Sequence, residues 1–338
     1  MRQPRKLVAG LAAVAVGAAA AGYLLVTPAY RSFQGEKFVK VERGSSTRVI
    51  ARQLADAGVI SSEWAFLALR AVRPKAVLQA GEYQFVEPAS AWRIFNRLVS
   101  GDIYYFEITI PEGSNIWDIA RLLESQSVMR EADFLTAAAN PALVEDLDPA
   151  ATSLEGYLFP STYRLSHAIT ARELCRMMVD QFRKQWKILA GENQAPNEVV
   201  TLASLVEKET GLAEERSMVA GVFAHRLRIG MSLACDPTVV YAALLSGAWR
   251  GKIYQSDLDR KHPYNTYLRL GLPPGPIANP GAAAIKAALH PAKTDNLYFV
   301  AKPEGGGHVF SATSAAHAEA VRNYRHATAA QAPARKAR

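Results

Sequence analysis

The chain has 338 residues, a hydrophobic fraction of 49% and a formal net charge of +8. That length predicts two or three domains, and the hydrophobic fraction is ample for a core. The positive charge favours an anionic neighbour, such as a membrane surface, an acidic cell-wall polymer or nucleic acid. Because zinc-finger spacing, an RRM signature and a long basic run are all absent from the sequence, we expect no nucleic-acid partner.

The first 26 residues decide the expected compartment. Residues 7–26 carry no charge and follow three basic residues, and 20 such residues span a bilayer core of about 30 Å. A cleaved signal peptide is the alternative, because the small residues at 18–21 suit cleavage. We favour a retained transmembrane helix, since the apolar run continues through residues 23–26. The positive-inside rule then places residues 1–6 in the cytoplasm and the rest of the chain outside.

A weak internal repeat follows. Gly44-Ser45 and Gly113-Ser114 lie 69 residues apart, and each pair stands between a predicted strand and an amphipathic helix. Two related modules, or one common strand-to-helix design used twice, explain the repeat equally well. Between the copies, the sequence predicts a strand at 81–86 and a helix at 92–99. Residues 36–104 are therefore expected to form a small α+β domain.

The second copy opens a larger domain of mixed α+β character. Helices are predicted at 132–140, 171–189, 197–210, 214–229, 239–245 and 314–327, with an alanine-rich helix ending at 289. Two strands, 296–301 and 308–312, are joined by a glycine run typical of a hairpin turn. Residues 328–338 are rich in alanine and basic residues, and we expect them to be disordered.

Chemistry is most clearly indicated by residues 202–210, an apolar helix that ends in acidic side chains. At 100° per residue, Glu207 and Glu209 leave opposite edges of the apolar face, so they are not expected to share one role. Burial and the negative end of the helix both raise a carboxyl pKa. A carboxyl that is protonated near neutral pH suits acid catalysis on a glycosidic oxygen. The alternative is a solvated, charged helix end.

Three other segments are candidate site elements. Residues 155–163 mix aromatic residues with one carboxylate, which suits either loop packing or sugar stacking. Asp236 stands before a predicted helix, as its cap or as a second active-site carboxylate. Residues 271–281, with four prolines and three glycines, form a stiff loop after Tyr264-Asn265-Thr266-Tyr267. This loop is either a plain connection or the wall of a cleft.

The cysteines and histidines add no further chemistry. Cys175 and Cys235 are far apart in sequence, and two unpaired core thiols are the expectation, with a disulfide left open. The histidines form no HExxH pair, and no Walker motif or dinucleotide fingerprint occurs. We expect no metal and no cofactor.

Five motifs taken together resemble the endolytic murein transglycosylases, the MltG or YceG-like family. They are residues 203–210 (ASLVEKET), 226–231 (RLRIGM), 236–239 (DPTV), 264–267 (YNTY) and 271–281. The resemblance covers the chain from the apolar N-terminal run to about Tyr324. Cys235 and Tyr157 stand at positions that we expect to vary in the family, which casts doubt on no named role.

The resemblance implies a bitopic inner-membrane enzyme with its C-terminal domain in the periplasm. It implies a LysM-like domain at residues 27–104, juxtamembrane link included, and a catalytic domain at 105–327. The implied catalytic carboxyl is Glu209, and the implied reaction cuts between N-acetylmuramic acid and N-acetylglucosamine, leaving a 1,6-anhydro end. The candidate substrate-binding residues are Glu155, Tyr157, Ser204, Glu207, Asp236, Thr238, Tyr264, Asn265, Thr266, Tyr267, Pro274 and Asn279.

The expected partners are peptidoglycan glycan strands and the inner membrane, with cell-wall synthases as candidate protein partners. Two alternatives stay open. One is a muramidase that uses water, with Asp236 or Glu155 as the second carboxylate. The other is a wall-binding scaffold in which Glu209 is structural.

Overall fold

The computed structural model describes residues 35–191 and 195–331, with side chains to residue 328. The chain divides into a small unit, residues 35–108 with 164–168, and a large unit, which contains the rest of the described chain. The described residues form 12 α-helices and three two-stranded sheets, so the predicted α+β class is confirmed.

The small unit is built around an antiparallel pair, β1 (Lys37–Val41) and β2 (Gly81–Phe85), in which Val39 lies opposite Tyr83. Three helices complete it: α1 (Thr47–Asp56), α2 (Glu63–Val72) and α3 (Ala91–Ser100). The apolar stripes of α1 and α3 meet the sheet in one core, in which the largest fully enclosed side chains are Phe66, Tyr83, Phe85 and Phe95.

The repeated sequence corresponds to a repeated local geometry. Gly44 and Gly113 both adopt left-handed backbone angles, with φ of 83° and 74°, which an L-residue rarely adopts. A polar side chain then caps the following helix: Ser46 accepts from the amide of Val49, and Asn115 forms a capping box with Asp118. Each copy is therefore a strand, a glycine turn and a capped helix.

The large unit begins at Thr109, the last residue of β3 (Phe106–Thr109), and β3 pairs with β4 (Thr162–Leu165). Its helices, in chain order, are α4 (Ile116–Ser125), α5 (Glu131–Ala138), α6 (Ala171–Ala190), α7 (Asn197–Glu209), α8 (Arg216–Arg228), α9 (Asp236–Leu245), α10 (Gln255–Leu258), α11 (Ala282–Leu289) and α12 (Ser314–Gln331). A short 3-10 turn spans Pro141–Leu143.

Helix α7 is the centre of the large unit. Seven consecutive residues, 200–206, are buried, so the helix is enclosed on all sides and not on one face as its apolar spacing predicts. Helices α8, α9 and α11 pack against it. The helix ends at Glu209 because Thr210 is extended, with φ −143° and ψ 131°. A carboxylate-bearing helix end is thereby held inside the domain.

The predicted hairpin near the C-terminus is confirmed. Strands β5 (Tyr298–Ala301) and β6 (His308–Ser311) are antiparallel, and the glycines at 305–307 all have positive φ in the turn between them. Helix α12 continues to Gln331, four residues beyond its predicted end at 327. The rest of the tail predicted to be disordered, residues 332–338, lies outside the described residues.

Most predicted helices and strands are observed, but three elements were missed. Helix α2 and the single-turn helix α10 lie in stretches for which no element was predicted, and β4 lies at the end of the segment read as a loop. Helix α9 begins at Asp236, three residues earlier than predicted. Cys175 and Cys235 are both free and buried, as expected.

The predicted transmembrane helix, residues 7–26, lies outside the described residues. Among the helices that are described, none has both the length and the hydropathy that crossing a bilayer requires.

Leu54→Ala is expected to destabilise the small unit by about 2–5 kcal/mol, because Leu54 is fully enclosed in its core and the truncation leaves a cavity. Val49→Ala on the same helix is the matched control, since Val49 is 47% exposed and its loss should cost no more than about 0.5 kcal/mol. Native-state hydrogen exchange of small-unit amides measures both effects. Equal effects of the two substitutions would contradict the described packing of α1.

Candidate functional site

The acidic end of α7 supplies two carboxylates with different surroundings. Glu209, the last helical residue, is partly exposed as a whole, yet its carboxyl is enclosed by protein. Its Oε1 accepts a hydrogen bond from the Cys235 thiol at 3.0 Å. Burial raises the pKa of Glu209, and neighbouring Asp236 adds to this, while the Cys235 thiol opposes it. The Glu209 carboxyl is therefore suited to hold a proton at a pH where an exposed carboxyl has lost it.

Glu207 is instead a structural anchor. Its side chain is only 5% exposed, and its Oε1 accepts from Nη2 of Arg216 at 2.9 Å. Its Oε2 accepts from the backbone amide of Gly281 at 2.9 Å. Glu207 therefore ties α7 to α8 and to the end of the stiff loop 271–281, and both of its oxygens are occupied by protein donors.

The turn before α9 presents Cys235 to Glu209. Ala234 has a φ of 45°, one of two non-glycine residues with positive φ among the described residues. This conformation costs an L-residue about 1–2 kcal/mol, so the surroundings must hold it. Thr266 does so twice: its carbonyl accepts from the Ala234 amide at 3.1 Å, and its hydroxyl accepts from the Cys235 amide at 3.0 Å. The Thr238 hydroxyl donates to the Cys235 carbonyl at 2.7 Å.

Asp236 does not cap α9 through its side chain, contrary to one of its two predicted roles. Cys235 is the N-cap residue, and no side-chain capping bond is present there. Asp236 is exposed and accepts a hydrogen bond from the Tyr267 hydroxyl at 2.6 Å. Burial raises the pKa of Tyr267, and Asp236 raises it further. Asp236 and Tyr267 thus form a solvent-accessible polar pair next to the Glu209–Cys235 contact.

Asn279 joins three loops of the site. Its Nδ2 donates to Oε1 of Glu155 at 2.8 Å and to the Ser114 carbonyl at 2.9 Å, and its Oδ1 accepts from the Leu158 amide at 2.9 Å. Its backbone pairs with Gly113 and Ser114. All groups of the amide are thus satisfied while the residue is fully buried. The stiff loop 271–281 is therefore held by specific hydrogen bonds.

Glu155 is enclosed in the same joint. Its Oε2 accepts from the Ile116 amide at 3.1 Å, at the start of α4. Burial raises the pKa of Glu155 to about 8, although the hydrogen bond from Ile116 lowers it. Tyr157, on the following turn, is fully buried and donates its hydroxyl to Oδ2 of Asp148 at 2.8 Å. In the aromatic segment 155–163, Glu155 and Tyr157 are thus buried and hydrogen-bonded within the protein.

The predicted substrate-binding residues separate into two groups. Those accessible at the surface are Asp236, Tyr264, Tyr267 and Pro274. Those whose side chains are enclosed and hydrogen-bonded within the protein are Glu155, Tyr157, Ser204, Glu207, Thr238, Asn265, Thr266 and Asn279. Direct contact of the enclosed group with a polymer stays a prediction.

Asn265 and Ser204 illustrate why the enclosed group is present. Asn265 Nδ2 donates to the carbonyls of Leu258 and Arg260 at 2.8 and 2.9 Å, so it shapes the loop that carries Tyr264 and Tyr267. Ser204 accepts from the Ile277 amide at 3.1 Å, which fixes the stiff loop on α7. Both residues support the site without facing it.

Two open grooves of about 360 Å³ each flank these residues. Glu155, Tyr157, Tyr264 and Pro274 are among the residues that line the first. Asp236, Lys208 and Trp249 line the second, along with Arg121 on α4. Aromatic walls beside mixed charges are suited to polar ligands with apolar faces, such as sugars.

Sequence reasoning missed the part played by two residues. The sequence indicates only a core thiol at Cys235, whereas the structure shows its contact with Glu209. The sequence assigns no role to Arg226, whose guanidinium donates to the carbonyls of Leu233 and Leu297, both at 2.6 Å. No local pattern reveals the contacts of Cys235 with Glu209 and of Arg226 with Leu297, because these partners are distant in the sequence.

A YceG-like family model matches residues 39–323 of the chain. The endolytic murein transglycosylase of Bacillus subtilis (strain 168) is 33% identical over 328 residues, covering 91% of this chain and 90% of that protein. That of Streptococcus pneumoniae (strain D39) is 30% identical over 302 residues, covering 78% of this chain and 54% of that protein.

A crystal structure of a yceG-like protein from Listeria monocytogenes matches with a TM-score of 0.55 and 31% sequence identity. The match covers 85% of this chain and 99% of that chain. The resemblance inferred from the five motifs is thus confirmed by sequence and by structure. The chain belongs to the YceG-like family.

Proposed function

We propose that the chain, like its curated relatives, is an endolytic murein transglycosylase, a peptidoglycan lyase, and that Glu209 is its general acid and base. The relatives' names support the activity. The observation that carries the assignment of Glu209 is its enclosed carboxyl, whose pKa burial raises, at the C-terminal end of α7. Such a carboxyl can deliver a proton at neutral pH.

In the proposed reaction, Glu209 donates its proton to the glycosidic oxygen between N-acetylmuramic acid and N-acetylglucosamine. The bond from C1 of N-acetylmuramic acid to that oxygen breaks. The 6-hydroxyl oxygen of the same sugar then bonds to C1, and its proton passes to the Glu209 carboxylate. The products are a 1,6-anhydro end and a new 4-hydroxyl, and Glu209 is again protonated. Because the nucleophile is tethered, no second protein carboxylate is needed.

The surroundings of the other two acidic residues favour this route over hydrolysis. A glycosidase that uses water, or a covalent intermediate, needs a second carboxylate facing the sugar. Glu155 is enclosed and hydrogen-bonded to Asn279 and Ile116, and its raised pKa, about 8, keeps it largely uncharged at neutral pH. Asp236 is accessible but already bonded to Tyr267. Asp236 is thus the stronger candidate for a hydrolytic partner.

The glycan is proposed to lie along the accessible residues Asp236, Tyr264, Tyr267 and Pro274. This placement is supported by the exposure of these residues and by their attachment to the same loops that hold Glu209. The enclosed residues of the predicted set are proposed to act indirectly, by fixing these loops. A wall-binding scaffold without chemistry is the alternative from another class, and it leaves the burial of the Glu209 carboxyl unexplained.

Residues 7–26 are proposed to anchor the enzyme in the inner membrane, with the catalytic unit on the periplasmic side. Their charge-free length and the preceding basic residues support this. The small unit is proposed to be LysM-like and to hold the polymer without doing chemistry. Cell-wall synthases remain candidate partners on the ground of the resemblance alone.

Glu209→Gln should lower the formation of 1,6-anhydro ends by a factor of at least about 10²–10⁴, because it keeps the shape of the side chain and removes the proton donor. Its folded-state pKa is raised, so the stability that the carboxyl contributes is present at low pH and is lost as pH rises through that pKa. At pH 7, Glu209→Gln should therefore leave stability unchanged or raise it. End-group mass spectrometry and thermal unfolding measure the two effects.

Glu207→Gln is the matched comparison on the same helix. It removes the closer anionic partner of the buried Arg216 guanidinium and leaves only the longer contact to Glu112 at 3.7 Å, so stability should fall while activity drops only in part. Full activity in Glu209→Gln would overturn the assignment, and equal inactivation of two folded variants would leave Glu209 without special status.

Asp236→Asn should still yield 1,6-anhydro ends, with turnover reduced by at most about tenfold, because one hydrogen bond is weakened and no proton transfer is lost. End-group analysis in H₂¹⁸O separates the two chemistries, since hydrolysis alone introduces ¹⁸O at C1. Reducing ends labelled with ¹⁸O in the wild-type digest, lost in Asp236→Asn, would establish the hydrolase instead. Glu155→Gln is the control for the enclosed carboxyl.

Trp64→Ala should weaken binding to insoluble peptidoglycan by about 2- to 10-fold, the range expected for one stacked aromatic ring. Trp64 is 67% exposed on α2 of the small unit, where its loss should not disturb the core or the cleavage step. Val72→Ala, at the other end of the same helix, is the exposed control. Co-sedimentation with purified sacculi measures binding, and unchanged binding in Trp64→Ala would remove this indole from the proposed polymer surface.

A further inference from the structure

The thiol of Cys235 is the hydrogen-bond donor that contacts the Glu209 carboxyl, at 3.0 Å from Oε1. Cys235 is 1% exposed, so no solvent competes for the thiol. The contact joins the first turn of α9 to the last turn of α7, two elements separated by 26 residues in the chain. No other hydrogen bond from the described residues orients the Glu209 carboxyl, so this fixed donor restricts its rotation.

Hydrogen bonds from several parts of the chain hold the backbone around Cys235. Ala234 is in the left-handed region, and four hydrogen bonds from outside the turn or from α9 fix the segment 233–235. The Arg226 guanidinium donates to the Leu233 carbonyl, and the Thr238 hydroxyl donates to the Cys235 carbonyl. The Thr266 carbonyl accepts from the Ala234 amide, and the Thr266 hydroxyl accepts from the Cys235 amide. Because a one-residue change of backbone conformation would move the thiol away, these bonds together aim it at Glu209.

Several other charged or titratable groups act on Glu209, and they come from α8, α9 and β6. Asp236 on α9 disfavours the carboxylate, whereas His308 on β6 and Arg226 on α8 favour it. His308 is itself paired with Glu215 at 2.7 Å, and Tyr267 is bonded to Asp236. The Cys235 thiol is thus the neutral donor within this set, and it stabilises the charged form of the carboxyl.

We propose that Cys235 is a positioning residue, which orients the Glu209 carboxyl toward the scissile bond and tunes how readily it gives up its proton. This role rests on the proposed function of Glu209. It also assigns a purpose to Thr238 and Thr266, which stand in two of the sequence motifs and whose hydroxyls bind Cys235 and each other rather than facing solvent.

The test compares Cys235→Ala with Cys235→Ser in the full chain, measuring the pH dependence of kcat/KM for anhydro-end formation. Alanine removes the donor, so the pKa of Glu209 should rise and the alkaline limb of the profile should move to higher pH, with kcat reduced about tenfold. Serine supplies a stronger donor, so the alkaline limb should move to lower pH than in the alanine variant and kcat should recover. KM should change little in either variant.

Cys175→Ala is the matched control, because it removes the other buried thiol from α6 and leaves the Glu209 contact intact. Its pH profile should equal that of the wild type. Thermal unfolding verifies that each variant is folded, and Cys235→Thr, which also carries a hydroxyl donor, replaces serine if that variant unfolds. An unchanged profile in Cys235→Ala, or identical profiles in the alanine and hydroxyl variants, would overturn the proposal.

A second readout is independent of turnover. With ¹³C-labelled glutamate, the carboxyl resonance that disappears in Glu209→Gln reports the titration of Glu209 in the wild type and in Cys235→Ala. A higher midpoint in Cys235→Ala supports the proposal, and an equal midpoint refutes it. Failure of the proposed function would appear separately, as anhydro-end formation that persists in Glu209→Gln.

Discussion

Burial of the Asn279 amide is the constraint on which the site depends. From loop 271–281, this one side chain closes hydrogen bonds to two other loops, at Ser114 and at 155–158, and it does so without water access. Leaving such groups unpaired in the interior costs about 1–3 kcal/mol each, so the loops have little freedom to separate. The stiffness of loop 271–281 arises from this joint as much as from its prolines. The glycines and prolines permit the backbone conformation of the loop, and the hydrogen bonds of the Asn279 amide determine which conformation it adopts.

The acidic residues around this joint have different chemistry because they differ in surroundings, not in type. Glu207 forms an ion pair with a guanidinium, and Glu155 is enclosed and accepts hydrogen bonds from uncharged donors. Asp236 remains at the surface and accepts a hydrogen bond from a phenol hydroxyl. Glu209 combines an enclosed carboxyl with partial access to solvent and, unlike Glu207, forms no ion pair with a described residue. Under the proposed mechanism, these differences leave Glu209 as the carboxyl that transfers protons.

Periodicity and turn residues predicted most of the helices, the hairpin β5–β6 and the α+β class, because these depend on local sequence. Helical spacing separated Glu207 from Glu209, and the family resemblance pointed to Glu209 as the catalytic carboxyl, which stays a prediction. The enclosure of Asn265, Thr266 and Thr238 could not, since a polar residue in a loop looks the same whether it binds a ligand or a backbone group. That distinction is made by contacts such as the one from Thr266 to Cys235, which only the folded chain brings together.

Folding protects the two free cysteines from oxidation. Burial raises the pKa of Cys175 to about 12 and that of Cys235 well above its usual range, so both remain thiols and react slowly with oxidants. An unfolded chain loses this shelter, and an oxidising solution can then join the two sulfurs across 60 residues. Such a crosslink would remove the thiol that contacts Glu209. A chain that unfolds in an oxidising solution would then refold without the hydrogen bond from Cys235 to the Glu209 carboxyl.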